Sequence, residues 1–207
     1  MNNGRGMLII ISGPSGSGKG TVVNRLCPKG ADSEFAVSIS VTTRAPREGE
    51  IDGANYFFRS KREFHELLSN GELLESAMFC GHYYGTPSGY VGQMLDAGKN
   101  VVLEIEVNGA LQVKKKLPEC ALIFLLPPTI AELKRRLAGR ASETAESQTD
   151  RLRRAREEIK LIDQYDYLVI NDDVDEAVAN IRTIVRAEKL KPLRSGFSIS
   201  KWRNPDA

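Results

Sequence analysis

Apolar positions along this chain follow two alternating rhythms. Short runs rich in Ile, Val and Leu recur at residues 7–12, 101–105, 121–126 and 167–170. Each is nearly continuous and too short for a helix, the pattern of a strand buried on both faces of a parallel sheet. Between the runs, apolar residues return every three or four positions, as one face of a helix requires. Lys19–Leu26 reads as such a helix, as do the stretch around 110–116, the face Leu152, Ala155, Ile159 and Ile162, and the face Ala177, Val178, Ile181, Ile184 and Val185. Strands alternating with helices predict an α/β fold with a central parallel sheet flanked by helices.

Residues 40–89 break that rhythm. Positions 35–41 alternate apolar and small polar residues and read as a second strand, but 42–55 is a charged loop carrying Arg44, Pro46, Arg47, Gly49 and Gly53. Ser60 and Glu63 are spaced as a capping box before Phe64, Leu67 and Leu68, and Gly71 ends that helix. Residues 73–79 and 82–85 look like short strands, able to form a small antiparallel sheet with 56–58. Thr86 and Pro87 predict the next helix start, as cap and first position, with Val91, Met94 and Leu95 as its apolar face. A second capping box, Thr129 to Glu132, precedes Leu133 and Leu137. The reading is one domain: a core of about 7–39, 90–138 and 150–190, an inserted mixed α/β subdomain of about 40–89, a short polar lid at 139–149, and a flexible tail at 192–207.

Composition narrows the chemistry. The 207 residues carry 29 basic and 27 acidic side chains, a net charge of +2, so the whole molecule is no polyanion binder and no nucleic-acid partner is expected. No apolar run approaches the ~18 residues of a membrane helix, and the start is a short polar stretch, so a cytoplasmic protein with no membrane partner is expected. Cys27, Cys80 and Cys120 are widely spaced without a CxxC pair, and His65 and His82 are far apart. They predict reduced thiols and no histidine-based metal site. Glycines, arginines and carboxylates remain to carry function.

Gly13-Pro14-Ser15-Gly16-Ser17-Gly18-Lys19 fits the G-x-x-x-x-G-K spacing between a predicted strand and a predicted helix. There, successive backbone N–H groups curl around an anion, the helix N-terminus adds a favourable dipole, and Lys19 reaches the β and γ oxygens of a nucleoside triphosphate. The usual Ser or Thr after the lysine, a Mg²⁺ ligand, is replaced by Gly20, and Thr21 follows. Mg²⁺ would then be held mainly by nucleotide phosphates and water, with carboxylates outside. A second anion site is suggested by Arg44 and Arg47 with Tyr56, because planar guanidinium forks match phosphate oxygens. From Lys134 to Arg156, eight basic and three acidic residues make a local +5.

Five segments together resemble the guanylate kinase family, enzymes that phosphorylate GMP from ATP. They are the phosphate loop, Thr42-Thr-Arg44-Ala-Pro-Arg47-Glu-Gly-Glu50, Gly81-His-Tyr-Tyr-Gly-Thr86, Leu103-Glu-Ile-Glu-Val-Asn-Gly109 and Val169-Ile-Asn-Asp-Asp173. The resemblance spans about residues 7–189. It implies direct in-line transfer of the γ-phosphoryl group of ATP to GMP, and to dGMP, with Mg²⁺. It places Ser40, Arg44, Arg47, Glu50, Tyr56, Glu75, Tyr84, Thr86 and Glu106 at the GMP site, with Arg44, Arg47, Tyr56 and Tyr84 on its phosphate. Ser40, Glu75 and Thr86 would read guanine. Lys19, Arg44, Arg136, Arg140 and Arg151 would be catalytic, the last three closing over the ATP phosphates, and Asn171 would touch the adenine side. Glu104 would meet the metal through water.

Two other readings fit parts of the chain. Guanylate-kinase-like modules of membrane scaffolds keep this fold and bind peptides, but typically with damaged phosphate loops, whereas here the loop and Lys19 are whole. Gly20-Thr21 is a pattern also found in adenylate kinases, yet Glu75 with Tyr84-Gly85-Thr86 argues for guanine. Oligomeric state has no sequence signal.

Overall fold

A computed structural model describes residues 4–28, 33–138, 145–192 and 194. Strands β1 (Leu8–Ser12), β2 (Phe35–Val37), β7 (Asn100–Glu104), β8 (Ala121–Leu126) and β9 (Tyr167–Ile170) form a parallel sheet in the order β2-β7-β1-β8-β9. Helices α1 (Lys19–Leu26), α3 (Ser88–Asp96), α4 (Val107–Lys116) and α7 (Val174–Lys189) cover its faces. The period of two along a strand explains why β1 is apolar throughout. Ile9 and Ile11 face Val22 and Leu26 of α1 and Ala177 and Ile181 of α7. Leu8 and Ile10 face Val91 of α3 and Ala110 and Val113 of α4.

A second sheet, in the order β4-β3-β6-β5, is built from β3 (Val41–Thr42), β4 (Phe57–Phe58), β5 (Leu73–Phe79) and β6 (His82–Pro87). Helix α2 (Lys61–Ser69) lies beside it, its Phe64 fully buried against Val41 and Leu73. The complete Ser60–Glu63 capping box starts α2 as the spacing predicts. Strand β5 ties this sheet to the core: Leu74 belongs to the core cluster, Lys116 of α4 donates to the Leu73 carbonyl at 2.8 Å, and Gln112 brackets the Ser76 backbone at 3.3 Å on both sides.

Several boundaries differ from the sequence expectation. The single strand expected over 35–41 is two strands: β2 pairs with β7, then the chain crosses to the second sheet, where β3 pairs parallel to β4 and antiparallel to β6. The small sheet is therefore mixed rather than antiparallel. Helix α3 starts at Ser88 behind Pro87, and Thr86 stays in β6 with its hydroxyl committed to Glu75 instead of capping. Helix α5 (Ile130–Ala138) is capped by Thr129, which accepts from the Glu132 N–H at 3.0 Å. The Glu132 carboxylate turns to Arg135 and Arg136, where opposite charge outweighs the return bond of a capping box. Helix α6 (Ala145–Ile159) claims the end of the polar stretch assigned to a lid, and residues 139–144, including Arg140, lie outside the described residues. Most of the tail at 192–207 lies outside them too.

Candidate active site

The phosphate loop leaves the carboxyl end of β1 beside the carboxyl ends of β7 and β8, where open parallel sheets bind ligands. A β-carbon on Gly13 would stand 2.3 Å from the Leu125 carbonyl, so the loop packs on β8 only because that residue is glycine. Gly18 caps α1 at φ 88° without a side-chain bond, leaving the first helical N–H groups for an anion. Lys19 bends back over the loop, donating to the Gly13 carbonyl at 2.5 Å and the Pro14 carbonyl at 3.1 Å. Above the loop opens a cavity of about 920 Å³, bounded by Glu104 and Glu106 on one side and Arg151 and Arg154 of α6 on another.

A smaller cavity of about 210 Å³ adjoins it, lined by Ser40, Tyr56 and Thr86 together with Leu103, Glu104 and Ile105. Glu104 and Ile105 line both cavities. Burial pushes the Glu104 carboxyl above its ordinary value, and the Lys19 ammonium draws it back.

Arg44 is nearly buried, donates to Glu50 at 2.9 Å and lies 5.4 Å from the centre of the Tyr56 ring. Glu50 bonds first to the Arg44 guanidinium and then to the Arg47 N–H (2.8 Å), and both contacts hold its carboxyl below the usual range. Glu50 thus positions the arginines, its carboxylate being turned to them. Tyr84 stands 6.1 Å from Tyr56, ring to ring, because alternation in β6 turns it to the site while Tyr83 stacks on Phe64 in the core. Arg47 remains exposed.

Glu75 is 4% exposed, accepts from Thr86 Oγ1 at 2.7 Å, and presents its other oxygen to Gly109 of α4. Burial raises its pKa most; the Thr86 bond opposes that, and Glu106 adds to it. Glu106 itself caps α4, accepting from the Gly109 N–H at 2.6 Å and the Asn108 N–H at 3.0 Å. Arg136 pairs with Glu132 at 2.6 Å and donates to the Asn171 carbonyl at 3.0 Å. Asn171 is buried, and its amide turns to the Ser17 carbonyl rather than into the cavity.

The guanylate kinase family model matches residues 5–188. The chain belongs to the guanylate kinase family. It is 52% identical over 200 residues to a guanylate kinase of Streptococcus thermophilus, covering 97% of this chain and 94% of that one. It is 54% identical over 188 residues to one of Bacillus cereus, covering 91% of each. Among solved structures, the guanylate kinase of Anaplasma phagocytophilum superposes with a TM-score of 0.71 at 33% identity, over 93% of this chain and 90% of that one.

Within this guanylate kinase fold, motif matching missed one face of α6. Asp150, Arg154 and Glu158 join the expected Arg151 in lining the larger cavity, where burial raises the Glu158 carboxyl and Lys19 lowers it. The four-residue spacing of Asp150, Arg154 and Glu158 was the available signal. The neighbouring apolar stripe of Leu152, Ala155 and Ile159 dominates the helix pattern and masks that polar face.

Proposed function

We propose that this protein transfers the γ-phosphoryl group of ATP to GMP, and to dGMP, yielding ADP with GDP or dGDP in the cytoplasm. The observation that carries the proposal is the pair of adjoining cavities that meet at Glu104 and Ile105. One has the phosphate loop for a donor, and the other has Ser40, Tyr56 and Thr86 for a purine monophosphate.

Donor phosphates rest on backbone N–H groups of the loop and the first turn of α1, with Lys19 leaving its own loop carbonyls for the β and γ oxygens. Arg44 and Arg47, with Tyr56 and Tyr84, hold the GMP phosphate; Glu75, Thr86 and Ser40 accept from and donate to the guanine edge. One oxygen of the GMP phosphate attacks the γ-phosphorus as the bond to the bridging β,γ oxygen breaks, and the electron pair leaves on ADP. Lys19, Arg136 and Arg151 neutralise the charge spread over the equatorial oxygens. Among the described residues no three His, Cys, Asp or Glu side chains gather into a metal cage. The fit for Mg²⁺ is instead at Glu104: Gly20 has no side chain, and a β-carbon there would stand 3.5 Å from Glu104 Oε1, leaving room for water between carboxylate and phosphates. Bound Mg²⁺ supplies charge neutralisation at the phosphate oxygens.

A coupled ADP-release assay tests the proposal. Turnover should require GMP or dGMP; release with AMP alone, or with no acceptor, would reject it.

A further inference from the structure

Asn171 follows the edge strand β9, and its N–H extends the ladder to the Leu126 carbonyl at 2.7 Å. Only 2% of it is exposed. Its side-chain amide crosses to the phosphate loop and donates to the Ser17 carbonyl at 2.8 Å, 154 residues away in sequence. It packs there so closely that a β-carbon on Gly18 would lie 2.3 Å from its nitrogen. The reverse orientation of the amide would set oxygen against the Ser17 carbonyl oxygen, so the geometry fixes which end donates. Its backbone carbonyl accepts from Arg136 at 3.0 Å.

A trans peptide points its C=O and the next N–H in opposite directions. Pinning the Ser17 carbonyl beneath the loop therefore turns the Gly18 N–H the other way, and Gly18 lines the larger cavity. We propose that Asn171 is a positioning residue: it holds the Ser17–Gly18 peptide so that the Gly18 N–H faces the donor phosphates, and it parks Arg136 beside the loop. On this basis Asn171 serves the polyphosphate, whatever base the donor carries. The inference rests on the phosphoryl-transfer reading above.

The test compares the parent with Asn171→Asp by calorimetry, using ADP, inorganic tripolyphosphate and GMP. The variant keeps the side chain's shape but puts a carboxylate against a carbonyl. Removing the donor should weaken ADP and tripolyphosphate equally, by about 10–100-fold, and leave GMP unchanged. Lowering the pH should restore the variant's affinity, because a protonated carboxyl again donates to Ser17, while the parent shows no such recovery. Weakened ADP with tripolyphosphate kept would mean a base contact and overturn the proposal, as would parent-like binding of both. A parent that binds neither ADP nor tripolyphosphate would sink the underlying reading instead. The parent alone gives a second measurement, should the variant not fold. In its NMR spectrum the Gly18 amide proton should shift with tripolyphosphate as with ADP, and the Asn171 side-chain amide should stay slow to exchange. An Asn171 side-chain shift with ADP alone would refute it.

Discussion

Thr86 and Glu75 face each other across the antiparallel pair β5 and β6, hydroxyl to carboxylate at 2.7 Å, with both residues buried. A buried carboxylate with one neutral donor is stable only while it keeps its proton or meets further donors. Guanine offers two neighbouring donors, N1–H and the 2-amino group, whereas adenine presents an unprotonated N1.

Glu75→Gln separates stability from specificity. The folded-state pKa of Glu75 is raised, so the native protein binds this proton more tightly than the unfolded chain. Its stabilising share is fully present below the unfolded value of 4.5 and is lost as pH rises through the folded value. The Gln variant should therefore melt higher than the parent near pH 8, by roughly 2–4 °C for about 1 kcal/mol, with the gap closing near pH 4. If Glu75 reads guanine as proposed, the variant's kcat/KM for GMP should fall by at least ~10², since no carboxylate is left there to accept both guanine donors. Melting curves across pH with steady-state assays check both halves. A variant that retains the parent's GMP-over-AMP preference would place base reading elsewhere.

Much of this was legible in the chain. The sequence pattern marked Lys19–Leu26, Ala121–Leu126 and Tyr167–Ile170 with the ends the structure shows. Ala121–Leu126 is a continuous apolar run because it is buried on both faces, whereas the equally apolar Tyr167–Ile170 is the sheet's edge strand and leaves Leu168 and Ile170 exposed. The inserted sheet was harder. Two-residue strands such as Val41–Thr42 and Phe57–Phe58 carry no measurable period, and Val41–Thr42 is placed by partners far along the chain, Phe57–Phe58 on one side and Tyr84–Gly85 on the other. Motif matching likewise names residue types, not directions. It could not foresee that Glu50 turns to Arg44, that Glu106 caps α4, or that Asn171 reaches under the phosphate loop.

Lys19→Met should lower kcat by roughly 10²–10³ with the fold intact. In the structure the ammonium donates to two loop carbonyls, those of Gly13 and Pro14. Its greater contribution comes when charge develops on the transferring group. Near-normal turnover in purified variant protein would remove the phosphate loop from the mechanism.

Arg44→Ala should raise the KM for GMP by about 10–150-fold, the loss of one charge-assisted contact, and leave ATP affinity unchanged. Glu50→Ala should act in the same direction but more weakly. It keeps the guanidinium while releasing both it and the Arg47 amide from the carboxylate that orders them. Calorimetry with each nucleotide decides. Loss of ATP binding with GMP binding kept would mean the two sites are assigned in reverse.

Gly20→Ser asks where the metal sits. A β-carbon at position 20 would meet Glu104 Oε1 at 3.5 Å and Oε2 at 3.7 Å, ordinary contact distances, so serine enters without displacing the carboxylate. Within α1 the exchange of glycine for serine should itself stabilise the helix by about 0.5 kcal/mol. Its hydroxyl would stand beside Glu104 as a second hard oxygen next to the donor phosphates, the kind of ligand Mg²⁺ prefers. If the metal approaches Glu104, half-maximal activity should need less Mg²⁺ in the variant, with GMP affinity unaltered and the melting temperature equal or higher. A Mg²⁺ titration at saturating nucleotides reads this directly. An unchanged midpoint in a well-folded variant would mean that the metal lies away from Glu104. That carboxylate, raised by burial and facing Lys19, would then act on the lysine alone, by offsetting its charge where the two cavities meet.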